Sequence, residues 1–398
     1  MVGGCSPPVA DSGTPVSKVP GGCPPVETRA PNAAGQEPAF PGQTRGCAAP
    51  SATKFNVTVV ATGLDHPWAV EPLPDGSLLV TERAGRMRVV SAGGAVGAPL
   101  EGLPAVSAKG QGGLLDVALS PDFATDRMIF WSYAEPRSGG NATSVARGVL
   151  SPDQRRVDDV RVIFRAQPTY DGNLHFGSRL AFGPDGMLFV TLGERSDREM
   201  RPQAQQLGSH MGKVLRITRD GAVPPGNPFV NTAGALPEIW SLGHRNTQAA
   251  AIDPTGRLWT VDHGPRGGDE LNLIVSGNNY GWPLVTYGEE YTGMAISGAA
   301  TSREGYAQPV YYWDPVIAPS GAQFHSGRGF PEWKGNLFVG GLGAGALVRL
   351  VITNDRVSGE EHLLTDRRQR VRDVREGAGG ALYVVTDEAR GELWRIAP

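Results

Sequence analysis

Cysteine is scarce: the chain has 3 in 398 residues, and Cys5, Cys23 and Cys47 all lie near its start. A body free of thiols fits an oxidising compartment. Long apolar runs are missing as well, and the best candidate, residues 337–348, is short and glycine-rich, which excludes a transmembrane helix. Nor is there an excess of either charge, since 37 basic residues face 40 acidic ones. A net charge of −3 excludes general electrostatic attraction to nucleic acid, so any anion site must be local. What is abundant is glycine, 55 residues, and proline, 33, which favours many short strands joined by tight turns over long helices.

Residues 1–54 are rich in Pro, Gly, Ala, Ser and Thr and too poor in large apolar side chains to fold alone. They are expected to form a tether or strap on a body spanning 55–398. Cys23 and Cys47 can close a disulfide across this segment or stay as two free thiols, and the sequence leaves both open. Val2-Gly3-Gly4-Cys5 resembles the end of a bacterial lipoprotein signal without its basic and apolar parts. The expectation is a trimmed signal on an exported, periplasmic or extracellular protein, with Cys5 a candidate lipid anchor.

Beyond Phe55 a polar turn followed by a β-branched and aromatic strand recurs. Copies start at Pro74-Asp75-Gly76, Pro121-Asp122-Phe123, Pro184-Asp185-Gly186, Asp253-Pro254-Thr255-Gly256, Lys334-Gly335-Asn336 and Gly379-Gly380. Each copy reads as one hairpin with an inward strand, and units that cover one another's open faces make a radial array. The six copies predict an all-β, six-bladed β-propeller with four-stranded antiparallel blades. Long loops interrupt the repeats, and loops on a rigid scaffold are where sites are built. A sandwich with ordinary hairpin turns is the weaker alternative.

Several loops carry more His, Arg, Asn and acid than turns require. His175-Phe176-Gly177-Ser178-Arg179 precedes the third repeat strand and Gly193-Glu194-Arg195 follows it, so Glu194 can orient the His175 imidazole as a general base, although a histidine beside a glycine turn is more often a hydrogen-bonded structural residue. In Gly243-His244-Arg245-Asn246 a guanidinium and an amide can grip an oxygen-rich ligand, or simply form an exposed loop pair. Gly264 and Pro265 expose backbone carbonyls next to Asp269, Glu270 and Asn272, oxygen donors of the kind Ca²⁺ prefers, although the acids can also serve only as turn caps. Arg370 and Arg372, at i and i+2, share a strand face and call for an anion between them, unless they form a solvated basic face. Gln111 sits among glycines that permit close approach of a ligand.

Taken in order, these segments resemble the soluble PQQ-dependent glucose and aldose sugar dehydrogenase family. Gly63-Leu64-Asp65-His66-Pro67-Trp68, Gly110 to Leu115 with Ser120 to Phe123, His175 to Arg179, Gly243 to Asn246, His263 through Pro283, Ile317 to Gly321 and Arg370 to Asp373 carry the resemblance. It implies a six-bladed propeller that oxidises an aldose at its anomeric carbon to a lactone, passing electrons to an acceptor the sequence does not identify. PQQ would be held by Arg370 and Arg372, with Gln111 and Asn246 at its edge. Catalysis would use His175 as base, steadied by Glu194, and Arg245 on the oxygen that gains charge. One Ca²⁺ would rest on the Gly264 and Pro265 carbonyls; a second, structural one would use Glu270, the Tyr280 carbonyl and Glu290. Glucose dehydrogenases of the family carry a PQQ-facing lysine where this chain reads Gly340-Gly341-Leu342-Gly343-Ala344-Gly345, so the aldose sugar dehydrogenase branch is expected. A calcium-dependent propeller lactonase and a propeller that only binds remain the alternatives.

Overall fold

The computed structural model describes residues 22–398, so the expectation for Cys5 falls outside the described residues. Every repeat turn reverses the chain between the first and second strands of a sheet. In three of them an aspartate accepts the backbone N–H two residues on: Asp75 from Ser77 at 3.0 Å, Asp185 from Met187 at 3.0 Å and Asp253 from Thr255 at 2.8 Å. This local bond is why Asp recurs where the chain must turn tightly. The inward strand of each hairpin is the one before the turn: Pro67–Pro72, Leu114–Leu119, Leu180–Phe182, Thr247–Ile252, Pro319–Phe324 and Val371–Glu376. Each begins a four-stranded antiparallel sheet, and the six sheets are the six blades expected.

The ring is fastened by its two ends. Asn56–Leu64 pairs antiparallel with Gly391–Ala397, from Asn56 opposite Ala397 to Leu64 opposite Gly391, and so becomes the outer strand of the sixth blade. Between blades, apolar faces interlock, as where Leu79 and Met87 of the first blade meet Leu114 and Trp131 of the second in one buried cluster. Among the described residues no helix is long and apolar enough to cross a membrane.

Residues 22–54 lie across the fourth and fifth blades. Thr44 adds to the outer strand Tyr311–Trp313 and Ala48 to the outer strand Arg356–Leu363, so two sheet edges are covered. Gln43 is fully buried, receiving the Tyr287 hydroxyl at 3.0 Å and donating to the Pro309 carbonyl at 2.9 Å. Cys23 and Cys47 are disulfide-bonded, which closes this segment into a loop. Removing the bridge by Cys23→Ser with Cys47→Ser should cost about 3 kcal/mol, the loop-closure value for a ring of this size. Thermal melts should show the loss, and hydrogen exchange should show reduced protection of the Gly46 amide, which donates to the Tyr311 hydroxyl.

Candidate active site

The candidate site is knit from several chain segments at one end of the hub. Residues 175–178 are held in a rare backbone conformation, with φ of 48° at His175 and 92° at Ser178. Such strain persists only where neighbours enforce it and is concentrated at functional sites. Here the segment lies backbone to backbone against residues 192–193. A Cβ on Gly193 would stand 2.2 Å from the His175 carbonyl oxygen, and one on Gly177 2.6 Å from the Gly193 nitrogen. Glycine at both positions lets the two loops touch, and this brings His175 and Glu194 together.

Their side chains meet at 2.8 Å, Nδ1 of His175 to Oε2 of Glu194, and both are buried. Glu194 also accepts the Ser196 N–H at 2.6 Å, and its other carboxylate oxygen is buried without a partner. Burial lowers the His175 pKa, offset in part by Glu194, which raises it. For Glu194 burial acts upward, yet the interaction and hydrogen bond with His175 and the charge of Arg245 leave the carboxyl below its ordinary value. His263 contrasts with this pair: its Nε2 contacts the Pro319 carbonyl at 2.5 Å, and burial pushes its pKa down to about 3. His244 also has a carboxylate partner, Asp262 at 3.1 Å, but its other ring nitrogen meets the Ser241 hydroxyl at 2.8 Å, whereas Nε2 of His175 has no such protein partner.

The remaining predicted residues gather around this pair. Gln111 accepts the His175 backbone N–H at 2.8 Å, and Asn246 accepts that of Gly177 at 3.1 Å. The Glu194 N–H donates to the Arg245 carbonyl at 2.9 Å. Arg245 is buried, with its guanidinium 5.2 Å from the Trp282 ring centre, and its Nε has no partner. A cavity of about 180 Å³ opens alongside, lined by Gln111, Asn246, His263, Arg370, Arg372 and also Arg83, Trp68 and Leu342.

The anion expected between Arg370 and Arg372 is partly supplied by the chain itself. Asp387 receives Arg372 at 2.5 Å and Arg370 at 3.4 Å, and its own carboxyl is held far below the usual range, the arginines outweighing burial. With Arg83 the cavity still has three guanidinium groups against one carboxylate, and the buried Nε of Arg372 is unpartnered. That donor set fits a polycarboxylate ligand.

The oxygen donors fit a cation less uniformly. The Gly264 carbonyl accepts Arg245 Nη1 at 2.7 Å, so a metal bound there would have to share or displace that bond. Pro265 follows it in the same turn, in ring contact with the close-packed Gly288. Glu270 and Asp262 line a water-sized void with Gly264, and burial followed by repulsion from Asp262 pushes Glu270 up to about 8. A withdrawn carboxylate short of a countercharge fits a cation. Tyr280 packs nearby with its ring stacked on His244 at 4.8 Å. Glu290 does not line the void: Arg201 takes its carboxylate at 2.6 Å and 3.1 Å, so a metal bound there would have to compete with that bidentate pairing. No group of three His, Cys, Asp or Glu side chains converges in metal-ligand fashion among the described residues.

Two supporting layers escaped the sequence reading. Asp262 holds the Asn246 N–H at 2.6 Å, the Thr247 hydroxyl at 3.1 Å and His244 at 3.1 Å, and so shapes the loop that bears Arg245. Next to the cavity, Arg179 is fully buried between Asp116 at 2.9 Å and Asp373 at 3.1 Å, and donates to the carbonyls of Gln248 and Arg372. A signal was present: a carboxylate ends or directly follows the strand after the turn in the first, fourth and sixth repeats, as Glu82, Asp262 and Asp387.

The glucose / sorbosone dehydrogenase family profile matches residues 64–395. The aldose sugar dehydrogenase YliI of Escherichia coli is 46% identical over 347 residues, covering 86% of this chain and 93% of that protein. The solved apo-form of the soluble aldose sugar dehydrogenase from Escherichia coli superposes with a TM-score of 0.84 at 45% identity, covering 87% of this chain and 100% of that one. The PQQ-bound aldose sugar dehydrogenase from Streptomyces coelicolor does so with a TM-score of 0.71 at 32% identity, over 87% and 100% of the two chains. Fold, hub cavity and relatives define a β-propeller oxidoreductase, which sets aside the hydrolase and the purely binding scaffold. The chain belongs to the glucose / sorbosone dehydrogenase family, as its motifs had indicated.

Proposed function

We propose that the protein oxidises aldoses at the anomeric carbon to lactones with PQQ and calcium, using His175 as general base. The observation that carries this is the strained, buried His175–Glu194 pair beside Arg245, tied through Gln111 and Asn246 to a guanidinium-rich hub cavity that those two residues line. PQQ would be held by Arg370, Arg372, Gln111 and Asn246, and calcium by the carbonyls of Gly264 and Pro265, with Glu270 and the Tyr280 carbonyl serving a second ion. When bound they supply a two-electron acceptor and a Lewis acid that polarises it.

With Nδ1 of His175 donating to Glu194, Nε2 is the free lone pair, the atom that takes the proton from the anomeric hydroxyl. Glu194 then steadies the imidazolium without accepting the proton itself. Arg245 donates to oxygen that gains negative charge, in a setting from which water is largely excluded. Loss of the proton from the anomeric hydroxyl and of hydride from the carbon that bears it would leave that ring carbon as an ester carbonyl, the lactone. The Cys23–Cys47 disulfide supports an exported location.

The pH dependence follows from the direction of the His175 shift. The base works when neutral, and burial lowers its pKa, so kcat/KM should stay flat through neutrality and fall only below the ordinary histidine value of about 6.5. Glu194→Gln removes a carboxylate that raises this pKa, so pH–rate profiles should show the acid limb displaced to still lower pH with a reduced plateau. The direct test is to add PQQ and Ca²⁺ to the purified protein and follow reduction of an artificial dye across a panel of aldoses. Binding of both cofactors with no dye reduction from any aldose would overturn the assignment.

A further inference from the structure

Tyr291 is the most exposed of the large apolar side chains, 70% accessible, and its hydroxyl lies 3.4 Å from Nη2 of the buried Arg245. Exposing an aromatic ring to water on a floppy loop would be unremarkable, but this turn is pinned on both sides of the tyrosine. Glu289 exchanges both backbone hydrogen bonds with Arg266, at 2.9 and 3.0 Å, and its carboxylate pairs with the same residue. Glu290 is clamped by Arg201, and the turn is closed by the Glu290 N–H donating to the Met294 carbonyl at 2.8 Å. Two ion pairs thus hold an exposed aromatic ring next to Arg245, the guanidinium that the reacting oxygen would meet.

We infer that Tyr291 is a specificity-determining residue whose ring forms a platform for the apolar face of a pyranose. This rests on the proposed sugar oxidation and deepens it. A pyranose has C–H groups on one face and hydroxyls at its rim, so a fixed aromatic plane binds it while leaving the anomeric hydroxyl free to reach His175. The tyrosine hydroxyl, anchored toward Arg245, fixes the tilt of that plane. A preformed platform lowers the ordering cost of binding a weakly held, heavily hydrated ligand.

The test uses the full chain loaded with PQQ and Ca²⁺, with sugar and dye concentrations varied independently. Tyr291→Ala should raise the KM for D-glucose about three- to tenfold, the value of one aromatic contact, with a smaller change in kcat. Tyr291→Phe, which keeps the ring, should raise it less. Saturation-transfer NMR on the wild type should show the strongest transfer to protons of one sugar face, and this asymmetry should vanish in Tyr291→Ala. A sugar KM unmoved by Tyr291→Ala overturns the inference, as does a change confined to the dye KM, which would mark the turn as an acceptor-docking surface. Equal KM rises in the Phe and Ala variants overturn it too, since the hydroxyl alone would then matter. A wild type that oxidises no aldose sinks the sugar-oxidation reading itself, a distinguishable result.

Discussion

Replacing His175 by asparagine should lower kcat by about 10²- to 10⁴-fold, the usual contribution of a positioned general base. Asparagine can still donate to Glu194, so the partner carboxylate is not stranded and the strained 175–178 segment keeps its anchors in Gln111 and Asn246. The residues proposed to hold PQQ and calcium are untouched, and titration of the variant with PQQ should therefore reach the same stoichiometry as the wild type. Single-turnover measurements of PQQ reduction by glucose would isolate the chemical step. A loss smaller than tenfold, with binding intact, would mean that the proton leaves by another route, His175 serving only to shape the loop.

The second large effect concerns stability. Arg179→Met should destabilise the fold by roughly 3–5 kcal/mol, the cost of stripping one partner from a buried ion pair. Asp116 and Asp373, both fully buried, would face each other across the vacated guanidinium with Arg375 alone to balance them. Denaturant midpoints should report the loss. The double variant Arg179→Met with Asp116→Asn should recover part of it, because residues in one ionic network are not additive. Arg179 also donates to the carbonyls of Gln248 and Arg372, so PQQ affinity should weaken even in molecules that remain folded. Unchanged stability would mean that the hub carboxylates protonate at little cost.

The scaffold was legible because its turns are chemical. Asp75, Asp185 and Asp253 bond their own backbone two residues on, a local need that recurs at three of the six repeat turns. The His175–Glu194 contact was legible for a similar reason, since the two residues bracket a single short strand, Leu188–Leu192, and its inner neighbour. Contacts made across neighbouring strands or between blades were not. Asp387 reaches Arg372 only because two strands of the sixth blade lie side by side, and Arg83 enters the cavity from the first blade. The arginine pair was read as awaiting a ligand, whereas half of its countercharge is built into the chain. Pairing of the strand Asn56–Leu64 with the last strand had no local sign, because its alternation suits any outer strand equally.

That pairing has a consequence for how the molecule comes into being. Since residues 56–64 complete a sheet made by residues 371–397, the nascent polypeptide must carry an unmatched edge through nearly its whole synthesis. Contacts so remote in sequence are slow to form, and an edge left waiting can recruit strands from other copies. Circular permutation that moves Asn56–Leu64 behind Ala397 would make the closing step local, so refolding yield should depend on chain connectivity far more than on any single side chain.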